Sequence, residues 1–254
     1  MLPVIGLLIV AYLLAPIIVV VATSFTTTAY PSFPPKGFTL QWFERVLTAP
    51  EFAAAAQRSA VLALASASIA TVLGTLAGIA MYRHRFRLKG LIGNAMLLPI
   101  LFPTIVLGLA LLIFFSQIGI AGSFGGLVVS HSLLTTPFVM RMVMASLGEF
   151  DPAIEEAARS LGAGALRTFF LVTLPLIAPG VVAGSVFAFI LSFDELVVTL
   201  FLAGPDMVTL PVRIFTQVEF SSEPTISAVS TLLIACWLVV GVPVYQRFLS
   251  VKHK

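Results

Sequence analysis

Charge is what this 254-residue chain has least of. Asp, Glu, Lys and Arg make up 10% of it, hydrophobic residues 59%, and the mean hydropathy is +1.09. A soluble domain is usually about one quarter charged, so that class is excluded. A single cysteine, Cys236, rules out an internal disulfide. Three scattered histidines add no clustered ligand set for a metal. No G-x-x-x-x-G-K-[ST] phosphate loop, G-x-S-x-G or H-E-x-x-H pattern occurs, so no enzyme signature is present. The net charge of +3 is small, and no basic run alternates with aromatics in a soluble setting. Nucleic acid is therefore not an expected partner.

What is present is long stretches of oil. Runs of ~20 apolar residues read as bilayer-spanning helices. The first, residues 3–23, has no basic residues before it and is longer than a leader's apolar core, so it reads as a retained span. The second is 59–82, between Arg58 and Arg83. From Gly90 to Met140 no charged residue occurs, too far for one crossing. The polar, glycine-rich piece Ser116–Gly126 divides that run into spans 91–115 and 127–144. Spans 174–203 and 225–248 complete six. All are expected to be helical, because lipid offers backbone groups no partner. The whole chain, 1–254, reads as one all-α polytopic membrane domain.

Basic residues set the orientation. Arg83, Arg85, Arg87, Lys89, Arg141, Arg159, Arg167, Arg247, Lys252 and Lys254 fall on one side, and Lys36, Arg45, Arg58 and Arg213 on the other. The richer side is expected to be cytoplasmic, with both termini. The "RHRFRLK" cluster reads as a topology anchor that meets anionic lipid. "YPSFPPKGFTLQW" reads as an extended interfacial loop, and a short helix is expected after Pro211.

One segment breaks the pattern. "EEAARSLGAGALRTFFLVTLPL", Glu155–Leu176, is polar and lies between two greasy spans. Asp151 and Pro152 form a helix start, with Asp capping free N–H groups and Pro at the first position. Glu155 and Glu156 suit the positive end of that helix. Gly162 suits a left-handed ending. A second short helix follows, with Leu166, Phe169 and Phe170 as an apolar edge, and Pro175 marks the next span. The segment 148–173 is expected to be a stiff helix–turn–helix that either docks on another protein or rests on headgroups.

Within the spans, Asp194 and Glu195 are the notable acids. At ~1.5 Å per residue they lie ~28 Å beyond Pro175, in the outer part of the bilayer. An acidic pair on a pathway would attract cations such as protonated amines; otherwise it ends the apolar run or bridges to Arg213. His131 could line the path or bond a backbone carbonyl, and the latter is the expectation. Pro99 and Pro103 should kink their helix. Gly74 and Gly78 should allow close helix contacts. Trp42 and Trp237 read as interfacial or packing aromatics.

Glu156-Ala157-Ala158, three residues, Gly162, nine residues, Val172, one residue, Leu174-Pro175 resembles the "EAA" loop of permease subunits in ATP-binding-cassette importers. Val172 stands where that pattern has Ile. "RHRFRLKGLIGNAMLLPILFPTIVLGLALL", "HSLLTTPFV", "FILSFDELVVTLFLAGP" and "LPVRIF" agree, and the last two resemble the second permease subunit of spermidine/putrescine importers. The resemblance implies a type I importer permease with its core at about 55–250, in a bacterial inner membrane. It implies a second permease subunit, two ATPase subunits carrying ATP and Mg, and an extracytoplasmic solute-binding protein. This chain would itself bind no cofactor. Glu156, Ala157, Ala158, Gly162, Leu174 and Pro175 would couple to the ATPase, and Asp194 and Glu195 would serve the path. A polyamine is the implied solute; amino acids, aminophosphonates and opine-like compounds are alternatives. Set against it are a self-contained carrier using Asp194, Glu195 and His131, and a membrane-embedded enzyme.

Overall fold

The computed structural model describes residues 2–149, 151–221 and 223–252, with the side chains of 2, 240 and 242–252 left undescribed. The expected roles of Lys254, and of the Arg247 and Lys252 side chains, therefore lie outside the described residues. Every regular element among them is helical. The chain divides into two compact units, residues 1–54 with 213–254, and residues 55–212.

In the first unit α1 (Leu2–Thr23) contacts α12 (Thr225–Lys252), which also packs on α2 (Gln41–Thr48). Thr23 Oγ1 donates to Ser227 Oγ at 3.1 Å, joining α1 to α12. The loop between α1 and α2 folds onto itself: Trp42 Nε1 donates to the Thr26 carbonyl at 2.8 Å, and Phe25 stacks on Phe38 at 5.0 Å. Trp42 is thus a buried packing residue. Arg45 pairs with Glu223 at 2.8 Å, and Arg213 pairs with Glu51 at 3.1 Å.

The second unit holds most of α3 (Pro50–Arg83), then α4 (Lys89–Leu101), α5 (Thr104–Gln117), α6 (Phe124–Gly148), α7 (Ala153–Ser160), α8 (Ala165–Thr168), α9 (Leu174–Asp194) and α10 (Val197–Leu202). Helix α11 (Leu210–Phe220) begins in it, where a helix after Pro211 was expected. Two apolar clusters hold the unit. Leu62, Leu111, Phe115, Leu127, Val128, Val198 and Leu202 join α3, α5, α6 and α10. Ala67, Ala70, Val139, Val143, Leu147, Ile177 and Ala188 join α3, α6 and α9. Gly74 and Gly78, expected to pack either internally or against a second permease, lie against α6 at Val139 and Val143 and so pack internally.

Among the described residues, four helices are long and apolar enough to cross a membrane: Pro3–Thr23, Pro50–Arg83, Phe124–Gly148 and Ala165–Asp194. A fifth span is present if the pair α4 and α5 counts as one. The expected sixth, 225–248, is helical throughout, but its apolar stretch of described side chains covers only Thr225–Val239.

Two expected spans are interrupted. The stretch 91–115 is not one kinked helix: α4 and α5 meet at 105°. Pro103 has no N–H and forces Phe102 out of the helical region, to φ −77°, ψ 141°. The stretch 174–203 stops at Asp194 and resumes at Val197, with Glu195 extended at φ −70°, ψ 108°. Helix α3 starts nine residues before the expected 59, because Pro50 suits a helix start and the Ala-rich turn after it is a strong helix former. Arg58 marked the end of the apolar run, not of the helix.

Candidate functional site

The segment after α6 forms an elbow. Asp151 Oδ1 accepts from the Ala153 N–H at 2.9 Å and caps α7. At the other end Gly162 N–H donates to the Arg159 carbonyl at 2.9 Å and Ala163 N–H to the Ala158 carbonyl at 3.1 Å. With Gly162 at φ +90°, this pair of bonds is a Schellman ending, which is why glycine stands there. Helix α8 is only one turn, then a wide π turn, Phe169–Thr173, leads directly into α9. Glu156, Ala157 and Gly162 lie exposed and Ala158 half-buried. Leu161 and Leu166 beside them are 89% and 76% exposed, and Phe170 is exposed too. An apolar surface is therefore presented together with the motif residues. Leu174 is half-buried at the head of α9, and Pro175 is exposed in its first turn.

The two acids at the front of the elbow differ. Glu156 is exposed, whereas Glu155 is only 8% exposed. Its Oε1 accepts from Arg83 Nη2, at the end of α3, and from Thr173 Oγ1, at the head of α9. Burial alone would raise the Glu155 carboxyl, but the hydrogen bonds from Arg83 and Thr173, with the charges of Arg83 and Arg159, outweigh it and hold the group below its ordinary value. Arg83 is thus an internal partner and not simply a lipid anchor.

Farther along the unit, a cavity of about 200 Å³ is lined by Pro99, Ile100, Phe102, Thr104, His131, Leu134, Thr135, Phe138, Leu191, Ser192 and Glu195. Both helix interruptions face it. Glu195 and Asp194 part company here: Glu195 is half-buried and lines the cavity, whereas Asp194 is exposed and does not. Glu195 Oε1 accepts from the Val198 N–H at 2.9 Å and so caps α10. His131 is buried; it meets the Ser192 backbone, in keeping with the expected backbone bond, and two hydroxyls as well. Its Nδ1 lies 2.8 Å from Ser192 Oγ and its Nε2 2.9 Å from Thr199 Oγ1. Thr199 spends its own proton on the Glu195 carbonyl, at 2.8 Å. Nε2–H therefore donates to Thr199, and Nδ1 accepts from Ser192. The imidazole straps α6 to both sides of the α9–α10 break.

A family model described as "Binding-protein-dependent transport system inner membrane component" matches residues 70–249. The chain belongs to this family. It is 36% identical over 229 residues to the spermidine/putrescine transport system permease protein PotC of Escherichia coli (strain K12), covering 90% of this chain and 86% of that one. It is 34% identical over 238 residues to the putrescine transport system permease protein PotI of the same organism, covering 91% and 84%. The sulfate transport system permease protein CysT of Salmonella typhimurium is 31% identical over 211 residues, with 76% of each covered. The fold matches a chain in the crystal structure of a bacterial ABC transporter involved in the import of the acidic polysaccharide alginate, with a TM-score of 0.75 at 15% identity, over 97% of this chain and 94% of that one.

The protein is thus an ABC importer permease subunit that works with other subunits of its importer. It is a transport component, not an enzyme, and the self-contained carrier gives way to that membership. Of the permease's expected site residues, the elbow brings Glu156, Ala157, Ala158 and Gly162 together, and Glu195 stands apart at the cavity. The sequence reading missed Arg83 and Thr173 as partners of Glu155, and Ser192 and Thr199 as partners of His131. Only His131 carried a signal, since a histidine inside an apolar span needs a partner; Glu155, in a polar segment, carried none.

Proposed function

We propose that this permease carries a polyamine or related small amine inward as one half of a two-permease pathway. Two ATPase subunits, with ATP and Mg, grip the elbow from the cytoplasm, and an extracytoplasmic binding protein delivers the solute. In this reading the chain crosses a bacterial inner membrane six times with both termini inside, as a single domain over 1–254, with the elbow between spans four and five. Glu156, Ala157, Ala158, Gly162, Leu174 and Pro175 form the coupling surface and its joint to α9. Glu195 is the pathway acid.

The observation that carries the amine reading is similarity over nine-tenths of the chain to permeases named for spermidine and putrescine, at 36% and 34% identity. The permease named for sulfate matches over a shorter stretch at 31%. A carboxylate lining the cavity favours a cationic solute over an anionic one. The exposed apolar residues around Gly162 support docking, because isolated apolar surface of this kind marks a contact site.

The test is uptake of labelled putrescine into proteoliposomes holding this chain with the subunits that copurify with it. ATP-dependent uptake is expected. Glu156→Ala and Gly162→Val are expected to insert normally but lose at least tenfold in uptake and most of the bound ATPase. Valine at 162 is strained in the left-handed region by roughly 1–3 kcal/mol. Uptake unchanged in both variants sinks the coupling assignment, and absence of any amine uptake sinks the substrate.

A further inference from the structure

We propose that the cavity framed by α3, the start of α6 and the loop between α10 and α11 is a lipid site. It takes the zwitterionic headgroup of phosphatidylethanolamine at its rim and the adjoining acyl chain on its apolar floor. Such a site does not depend on which solute is carried; only its leaflet, the outer one, follows from the orientation proposed above.

Three unmet polar groups share this space. Arg58 on α3 and Asp206 on the α10–α11 loop both line a cavity of about 340 Å³. They carry opposite charges, yet among the described residues neither makes an ion pair, with the other or elsewhere. Thr209 lines the same cavity. It is 3% exposed, and its Oγ1 is buried with no hydrogen-bond partner. A buried hydroxyl left unpaired is costly, so a ligand that accepts from it is favoured. The rim is fixed by the fold itself. Ser59 Oγ, next to Arg58, accepts from the Leu210 N–H, next to Thr209, at 2.8 Å.

Burial orders these groups. Arg58 and Asp206 are exposed, Thr209 is buried, and the floor is Leu62 and Leu127 from the apolar cluster that joins α3 to α6. A phospholipid has the same order from water inward: charged headgroup, ester carbonyls, hydrocarbon. Arg58 also stands where the apolar run of α3 begins, which is headgroup depth. Val61 and Phe124, also in the lining, are exposed, so apolar surface continues from the floor to the outside of the unit.

Chemistry then selects the headgroup. A guanidinium donates two parallel bonds to a phosphate. A carboxylate accepts from an ammonium, and the Thr209 hydroxyl donates to an ester carbonyl. Phosphatidylethanolamine supplies all three partners. Phosphatidylglycerol lacks the cation, and phosphatidylcholine has no N–H for Asp206. A free amino acid would meet the two charges but brings no ester for Thr209.

The importer, purified with its accompanying subunits, is placed in phosphatidylcholine nanodiscs doped with phosphatidylethanolamine that carries a photoreactive acyl chain. After illumination, labelled peptides are located by mass spectrometry. Label is expected on α3 around Val61 and on α6 around Phe124. Label on α1, whose apolar side chains are exposed, reports bulk lipid and is the internal reference. Relative to it, Arg58→Gln and Asp206→Asn are each expected to lower the site label about tenfold, as loss of one charge-assisted contact would. Thr209→Val should lower it about threefold. Lys36→Gln, outside the cavity, should change it less than twofold. Unlabelled phosphatidylethanolamine should displace the label and phosphatidylglycerol should not. Site label unchanged in both charge variants, or equal displacement by phosphatidylglycerol, overturns the lipid site. Displacement by free leucine makes the space a solute pocket and overturns it too. A variant that failed to assemble would lose the α1 label as well, and displacement on the wild type then decides.

Discussion

Glu155→Lys is expected to abolish uptake, and pairing it with Arg83→Glu is expected to restore much of it. Glu155 is buried on the elbow, and among the described residues its charged hydrogen-bond donor is Arg83, 72 residues away at the end of α3. Lysine there would face Arg83 in a pocket with little water, and breaking a buried pair by removing one partner costs roughly 3–5 kcal/mol. Arg83 keeps 27% of its side chain in solvent, which places the expected cost at the lower end of that range, about 3 kcal/mol. The swapped pair recreates the attraction but not the Thr173 bond, so recovery should be incomplete. Glu155→Gln is the milder arm: Thr173 can still donate, the charge is gone, and melting of the purified importer should fall by about 2 kcal/mol. The linkage has a definite sign. Because the folded carboxyl sits below its ordinary value of 4.5, its contribution is complete above that pH and is lost as pH falls through the lower folded value. At neutral pH the wild type and the Gln variant should therefore differ by a constant amount, and the difference should shrink only under acid. Full uptake by Glu155→Lys alone would show that the contact does not transmit force.

That contact also marks the limit of what could be read from the sequence. The elbow was legible because its signals are local: Asp151 two residues before the N–H it caps, and Gly162 at the one left-handed position of the turn. The break at Phe102–Pro103 was half legible. Proline announces a disturbance, but whether a helix bends slightly or turns by 105° depends on what covers the freed groups. The break at Glu195 had no Gly or Pro to announce it. It exists because Glu195 turns back to cap α10 while Thr199 and His131 hold the chain on either side, and those partners come from three elements. Periodicity and hydropathy measure one helix at a time, so they marked this stretch as a continuous span. For the same reason Glu155 and Glu156 looked equivalent in sequence, and only the fold buries one and exposes the other.

Gly180→Val should be strongly destructive. A Cβ at Gly180 would lie 2.6 Å from Ser146 Cβ and 2.7 Å from the Met142 carbonyl oxygen on α6. The second is backbone and cannot rotate away. At Gly184 a Cβ would lie 3.0 Å from Val139 Cα, again backbone, and at Gly74 it would lie 2.6 Å from Val139 Cβ. Val139 is fully buried between them. Helices in lipid gain little from apolar contact with each other, so close approach of backbones is what holds them. Overpacking costs typically ~1–3 kcal/mol, and a backbone contact belongs at the top of that range. Gly180→Val is expected to cost about 3 kcal/mol and to lower the yield of monodisperse protein severely, with Gly184→Val close behind. Gly90→Val, where nothing lies within 4 Å of the added carbon, should change stability by less than about 0.5 kcal/mol. Melting of the three variants in one detergent decides it, and a Gly180→Val midpoint equal to wild type would refute the packing argument. The consequence reaches transport. The elbow hangs between α6 and α9, and these are the two helices pressed together at Gly180 and Gly184. Packed backbones cannot slide over each other continuously. If the elbow is the coupling surface proposed above, a pull on it is expected to move α6 and α9 as one body, and with them the wall containing His131, Ser192 and Glu195.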